Sequence, residues 1–144
     1  MKVRPLEAKD FAQWLKLWEG YNTFYQRVIS SEQTRYTFQR FIDANEMHAL
    51  VVEDQQEIKG FVHYLFHANT ATMSDVCYLQ DLFTKEECRG QGIARRLMEE
   101  VYQKAQAEGS PRVYWLTHET NETAKKLYDK LATYTGFVVY RKNF

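Results

Sequence analysis

The chain has 144 residues, and its 19 Lys and Arg balance 19 Asp and Glu to a formal net charge of zero. That length makes one domain with its own core, and 44% hydrophobic with 15% aromatic residues is not a disordered composition. Zero net charge argues against a general polyanion binder, and no run approaches the ~20 apolar residues that span a bilayer, so neither nucleic acid nor membrane is expected as a partner. The opening MKVRPLEAKD has no apolar run after its lysine, so no secretory signal is expected and the cytoplasm is the default location.

Residues 1–6 read as a short extended piece ended by Pro5. Over residues 8–25, Phe11, Trp14, Leu15, Trp18 and Tyr21 recur at three- and four-residue steps, which predicts a helix with an aromatic stripe. Asp10 is its expected cap. A second helix is predicted over 31–44, starting near Ser31 or Thr34, with Tyr36, Phe38, Phe41 and Ile42 on its apolar side. Residues 48–53 and 58–67 read as a hairpin turning at 54–57, and 72–84 as a third, longer strand. A helix follows from Ile93, with Leu97, Val101 and Ala105 on one face, and ends at Gly109 and Pro111. Strand 113–117, helix 121–131 and strand 136–140 complete the chain. The order β-α-α-β-β-β-α-β-α-β predicts a single mixed α/β domain with a mostly antiparallel sheet flanked by helices. It is not a doubly wound nucleotide fold, because no helices separate the early strands.

The segment richest in chemistry is Arg89-Gly90-Gln91-Gly92-Ile93-Ala94, a loop opening into a helix. Its glycines let a ligand approach the backbone closely. The helix start offers unpaired N–H groups and partial positive charge, which suit phosphate or pyrophosphate. Two glycines before an ordinary helix are also common, and the spacing matches neither a dinucleotide fingerprint nor a P-loop.

The same six residues resemble the acyl-CoA pyrophosphate loop of the GCN5-related N-acetyltransferases, Gln/Arg-x-x-Gly-x-Gly/Ala. Arg89, Gly92 and Ala94 fall on its defined positions. The flanks, CYLQDLFTKEECRGQGIARRLMEEV and VYWLTHETNETAKKLYDKLATYTGFVVYRK, look like the family's fourth strand through final strand. The second flank is most similar to the histone- and polyamine-type members, and RPLEAKDFAQWLKLWEGY is compatible with the first strand and helix. The resemblance spans essentially the whole chain, so residues 1–144 read as one acetyltransferase domain. It implies a V-shaped opening between the fourth and fifth strands that takes acetyl-CoA. The pantetheine arm would lie beside Leu82, Phe83 and Thr84, and the pyrophosphate on the amides of Arg89, Gly90, Gln91, Gly92, Ile93 and Ala94. By the same resemblance Asn121 would meet the pantetheine, and Ala124 would allow close approach. Lys125 or Lys126 could meet a CoA phosphate, though a solvated helix face explains both equally well.

Tyr128 matches the family's tyrosine in Asn-x₆-Tyr, which implies a general acid for the departing thiolate. A phenol at pKa ≈ 10 is a weaker acid than a thiol at ~8.5, so its help would be a hydrogen bond or a proton shared in the transition state. Core packing beside Ala124 and Leu131 explains the same spacing. The base is open. Similar polyamine-type members carry Glu where this chain has Gln80, which cannot take a proton. Asp81, a water chain to another carboxylate, or a substrate of lower pKa are the alternatives; Glu19, Glu32, His118 and Glu119 are further candidates. On a regular strand Gln80 and Asp81 point to opposite faces, so only one faces the opening unless a bulge re-aims the chain. The oxyanion donor would be a backbone N–H near Leu82 or Phe83.

No metal is expected. His63 and His67, four apart on a strand, stand about 13 Å from each other. Cys77 and Cys88 fit no metal spacing and are expected to be reduced thiols. Most of the first helix's aromatic stripe is expected in the core, with its last members, Tyr36 and Phe38 walling the acceptor pocket. The expected function is acetyl transfer from acetyl-CoA to a primary amine: a small amine, polyamine, amino acid, or a protein lysine or N-terminus. The alternative is an acyl-CoA sensor or interaction module without catalysis, which Gln80 favours. A homodimer is expected through strand 136–140, added to a partner's sheet edge.

Overall fold

The computed structural model describes residues 1–144. Strand β1 (Lys2–Pro5) leads through a short 3₁₀ turn into helices α1 (Phe11–Phe24) and α2 (Ser31–Asp43). Strands β2 (Met47–Asp54), β3 (Glu57–His67) and β4 (Val76–Thr84) follow, then α3 (Ile93–Ala107), β5 (Val113–Tyr114) and α4 (Glu122–Leu131). The sheet order is β1-β2-β3-β4-β5, antiparallel except for the parallel pair β4–β5. This is the mixed, mostly antiparallel architecture the sequence predicts.

Both faces of the sheet are covered. Leu50, Val52, Val62, Tyr64, Cys77 and Leu79 pack against Ile93, Leu97, Met98, Val101 and Ala105 of α3. Ala49, Val51 and Phe61 pack on the other face against Trp14, Leu17, Trp18 and Tyr21 of α1 and Phe38 and Phe41 of α2. Burial on both sides is why 49–52 is a continuous apolar run rather than an alternating one.

Several predicted boundaries move for identifiable reasons. Asp10 stands before α1 without capping it, because its carboxylate is taken by Arg4 (2.7 and 3.0 Å) and the Glu7 N–H (2.8 Å). Ser30, not Ser31 or Thr34, caps α2, accepting from the Gln33 N–H. The third long strand starts at Val76 rather than residue 72, since Thr72 closes a turn onto Asn69 and Ser74. Strand β5 has two residues, not five. The expected last strand, residues 136–140, joins no sheet: Phe137, Val138, Val139 and Tyr140 are exposed.

Candidate active site

Two irregularities in β4 shape the site. Its pairing to β5 stops at Tyr78↔Tyr114, so the two segments part beyond that point. Its register with β3 slips one step later: His63 faces Asp81, but Tyr64 faces Leu79. Gln80 is therefore the extra residue of a β-bulge. Leu79 and Leu82 both face α3, while Asp81 lies with Phe61 and His63 on the α1–α2 side. Instead of pointing apart, Gln80 and Asp81 line one hollow together with Trp18, Arg27, Ile29, Gln33, Thr37, Arg40, Phe41 and Met47.

The parted strands leave unsatisfied groups. Thr84 Oγ1 in β4 and Thr117 Oγ1 beyond β5 are buried without a hydrogen-bond partner. Buried hydroxyls normally find partners, and these two have none. Leu82 and Phe83 send their side chains to opposite core layers, leaving their backbone beside the opening.

The loop before α3 leaves backbone amides unpaired. Gly90 and Gly92 hold φ of 79° and 77°, in the left-handed region, and a Cβ at either would meet nothing within 4 Å. Conformation, not space, requires glycine here. Gly92 stands at the N-cap and has no side chain to cap with, and the first intrahelical bond runs from the Arg96 N–H to the Gly92 carbonyl. The first-turn amides, including those of Ile93 and Ala94, thus lack backbone acceptors within the helix, which makes an anion cradle. Arg89 and Gln91 are exposed at its rim, whereas Ile93 is buried and anchors the helix.

Asn121 caps α4, its Oδ1 accepting from the Ala124 N–H at 3.4 Å. Lys126 is exposed; Lys125 is occupied by the Glu119 carbonyl. Tyr128 is half-buried, edge-on to Trp115 with ring centroids 5.4 Å apart. Burial, with a smaller push from Tyr25, raises its hydroxyl to about 12. It therefore keeps its proton and can donate at neutral pH.

Beneath the hollow runs a buried chain of four side chains. Trp14 Nε1–H donates to His63 Nε2 at 3.1 Å, His63 Nδ1 meets Asp81 Oδ2 at 2.9 Å, and the Tyr21 hydroxyl donates to Asp81 Oδ1 at 2.7 Å. An indole N–H only donates, so Nε2 must accept and Nδ1 must carry the proton. This fixes a neutral His63 donating to an ionised Asp81. Burial lowers the His63 pKa by more than Asp81 raises it. Burial alone would raise the Asp81 carboxyl, but His63, Tyr21 and Arg27 together hold it below its usual value. His63, weighed in the sequence only with His67 as too distant to share a metal, is the support of Asp81.

The other proposed bases do not gather here. Glu19, Glu32, His118 and Glu119 are exposed, and none lines the hollow. The aromatic wall is also different: Trp18 and Phe41 line it, while Tyr36 is exposed and Phe38 is core. Arg27, Tyr21 and Trp14 are the functional neighbours the sequence reading missed. The packing of α1 on the sheet, with the β3–β4 register and its bulge, brings them to His63 and Asp81.

An α/β domain with a splayed β4–β5 pair and a glycine-opened start to α3 is the frame that sequence comparison specifies. Residues 14–133 match the Acetyltransferase (GNAT) family, and the chain belongs to that family. It is 38% identical to the D-amino-acid N-acetyltransferase HPA3 of Saccharomyces cerevisiae, over 98% of this chain and 89% of that protein. It is 25% identical to the N-acetyltransferase YhfO of Bacillus subtilis, over 99% and 97%. A solved AAC(6')-Iy, in complex with the bisubstrate analogue CoA-S-monomethyl-acetylneamine, shares the fold at TM-score 0.86 and 16% identity, over 99% and 97% of the two chains. The chain is an acetyltransferase enzyme, not a non-catalytic module on the same fold.

Proposed function

We propose that this enzyme moves the acetyl group of acetyl-CoA to the amine of a small acceptor, an amino acid, by direct attack. The unpaired first-turn amides behind Gly90 and Gly92 at the start of α3 carry the reading, and the buried, unpartnered Thr84 and Thr117 hydroxyls fit it. In this reading the amides from Arg89 to Ala94 hold the pyrophosphate, and the β4 edge at Leu82, Phe83 and Thr84 holds the pantetheine arm. Asn121, Ala124 and Lys126 line the far wall. A β4 amide near Leu82 or Phe83 meets the charge that grows on the carbonyl oxygen.

The acceptor enters from the α1–α2 side. The hollow there has a volume of about 180 Å³, below the ~300–1,000 Å³ of sites for drug-sized ligands, which favours a small acceptor. The relative's name, D-amino-acid N-acetyltransferase, favours an amino acid. Asp81 draws the ammonium and Gln80 hydrogen-bonds beside it. The amine must lose its proton before the N–C bond forms, and Asp81, held ionised, receives or relays it. As the C–S bond breaks, the Tyr128 hydroxyl donates to the departing sulfur.

The exposed tail and β5, a short strand at the sheet edge, support a homodimer in which residues 136–140 of each copy extend the other's sheet. A chain lacking residues 133–144 would then sediment as a monomer. No helix is long and apolar enough to cross a membrane, and two buried free thiols, Cys77 and Cys88, favour a reducing compartment, the cytoplasm. Thiol release from acetyl-CoA with a panel of amines, alongside calorimetry with acetyl-CoA, tests the reaction. Heat of binding with amine-dependent thiol release is the expected result; no heat and no release would end the proposal.

A further inference from the structure

We infer that Arg27 is the carboxylate anchor of the acceptor site and makes the enzyme selective for amines that carry a neighbouring carboxylate. The inference rests on the acetyl-transfer reading above and names what the hollow recognises.

Tyr25 is the C-cap of α1, and Gln26 takes the left-handed conformation at φ 53°. The Gln26 N–H bonds the Thr23 carbonyl at 3.0 Å, and the Arg27 N–H bonds the Asn22 carbonyl at 2.9 Å. This pair of bonds is a Schellman closure, with Arg27 at the position just past the left-handed residue. The side chain is pinned to the same partner: Arg27 Nε–H donates to Asn22 Oδ1 at 2.8 Å, and Asn22 is buried. Backbone and side chain are therefore fixed to one buried residue.

The guanidinium then stacks over two rings, 5.4 Å from the centroids of both Trp18 and Tyr21. Nε is occupied, but the two terminal nitrogens have neither a carboxylate nor a carbonyl partner. A guanidinium held this way is set for bidentate binding of a planar anion with little entropy left to lose. The second arginine of the hollow, Arg40, is not equivalent: Glu46 holds its Nη2 at 3.0 Å and Tyr36 lies under it. Arg27 is thus the free cation of the hollow, and Asp81 lines the same space. A zwitterion with adjacent ammonium and carboxylate matches this pairing, whereas a polyamine brings no carboxylate to the free Arg27 nitrogens.

The test compares an amino acid, its carboxamide and its decarboxylated amine as acceptors at saturating acetyl-CoA. Wild type, Arg27→Met and Arg27→Lys are measured, with thermal melting as the control for folding. Wild type should prefer the acid to its amide by roughly tenfold or more in kcat/KM. In Arg27→Met that preference should collapse toward parity, chiefly through KM of the acid, with Arg27→Lys between them. A structural role would lower acid and amide together and leave the ratio intact. An unchanged ratio in Arg27→Met, or a wild type that takes the amide as readily as the acid, overturns the inference while the transferase reading stands. No release with any amine and no heat with acetyl-CoA would instead overturn that reading, and this inference with it.

Discussion

The locked tautomer of His63 makes a prediction about stability and pH. In His63→Phe the new ring keeps the aromatic stack between Phe41 and Phe61, whose centroids lie 4.1 and 4.3 Å from the imidazole. It gives Trp14 Nε1–H no acceptor and removes one donor from Asp81. Trp14 is left unpaired while Asp81 keeps the Tyr21 donor, so at about 1–3 kcal/mol per lost partner the variant should lose about 2–6 kcal/mol near pH 7.5. The loss should shrink in acid. Folded His63 stays neutral because burial lowers its pKa, while in the unfolded chain it protonates near pH 6.5. Protons then favour the unfolded state, and wild-type stability falls as pH drops through that value. Between about pH 7.5 and about pH 5.5 this one group costs wild type stability that the variant does not lose, with ~1.4 kcal/mol as the ceiling for a histidine that stays wholly neutral when folded. Other histidines contribute to both proteins and cancel in the difference. Urea unfolding followed by tryptophan fluorescence at the two pH values measures the gap. An equal gap at both would refute the neutral, Nδ1-protonated histidine, as would nitrogen chemical shifts that titrate between them.

Three further outcomes are expected. Tyr128→Phe keeps the ring against Trp115 but removes the donor, so kcat should fall on the order of 10²-fold with little change in acetyl-CoA affinity; undiminished turnover across the pH range would remove Tyr128 from the chemistry. Gly60→Ala would set a Cβ 2.7 Å from the Phe83 carbonyl oxygen and 2.9 Å from Ile93 Cγ2, which should cost about 1–3 kcal/mol in denaturant unfolding and loosen the α3 start. Asp10→Asn breaks a buried pair with Arg4, at about 3–5 kcal/mol. Burial pushes the Asp10 carboxyl up, but Arg4 and the Glu7 N–H outweigh it and hold it low. Its contribution is therefore complete above the unfolded carboxylate range and lost as pH falls through the folded value. Acid unfolding curves should show Asp10→Asn losing less than wild type over that window.

What the sequence made legible is what depends on local pattern. The aromatic steps of α1, the apolar steps of α3 and the glycines at 90 and 92 each encode their own structure, and the order of elements follows from them. Lost from view was whatever depends on register. Whether Gln80 and Asp81 point the same way is decided by one slipped pair against β3. His63 meets Asp81 only through that pairing, so the residue weighed only as a metal partner of His67 is the one that fixes the carboxylate. Arg27 was invisible for another reason: the left-handed residue before it is Gln26, where a glycine would have marked the helix closure. The short β5 and the unpaired tail were misread because apolar, β-branched segments state a preference for extension without naming a partner.

The bulge at Gln80 links the two halves of the proposed reaction. A regular β4 would have alternated faces from Val76 to Thr84, sending Gln80 toward α3 if Asp81 faced α1. The extra residue brings both to the acceptor side while Leu79 and Leu82 still pack against α3. It also lies two residues past the last β4–β5 pair, Tyr78↔Tyr114, where the strand edge becomes free for the donor. Donor edge and acceptor wall thus meet within Gln80–Thr84 of a single strand. Attack on a thioester requires the amine and the carbonyl carbon to approach within about 3–3.5 Å, and a shared strand fixes that approach better than two separate loops would. Straightening the bulge by deleting Gln80 should therefore damage both halves at once: acceptor KM would rise, and acetyl-CoA binding would weaken with it. A deletion that raised only the acceptor KM, with acetyl-CoA affinity intact by calorimetry, would show that the two sites are built independently.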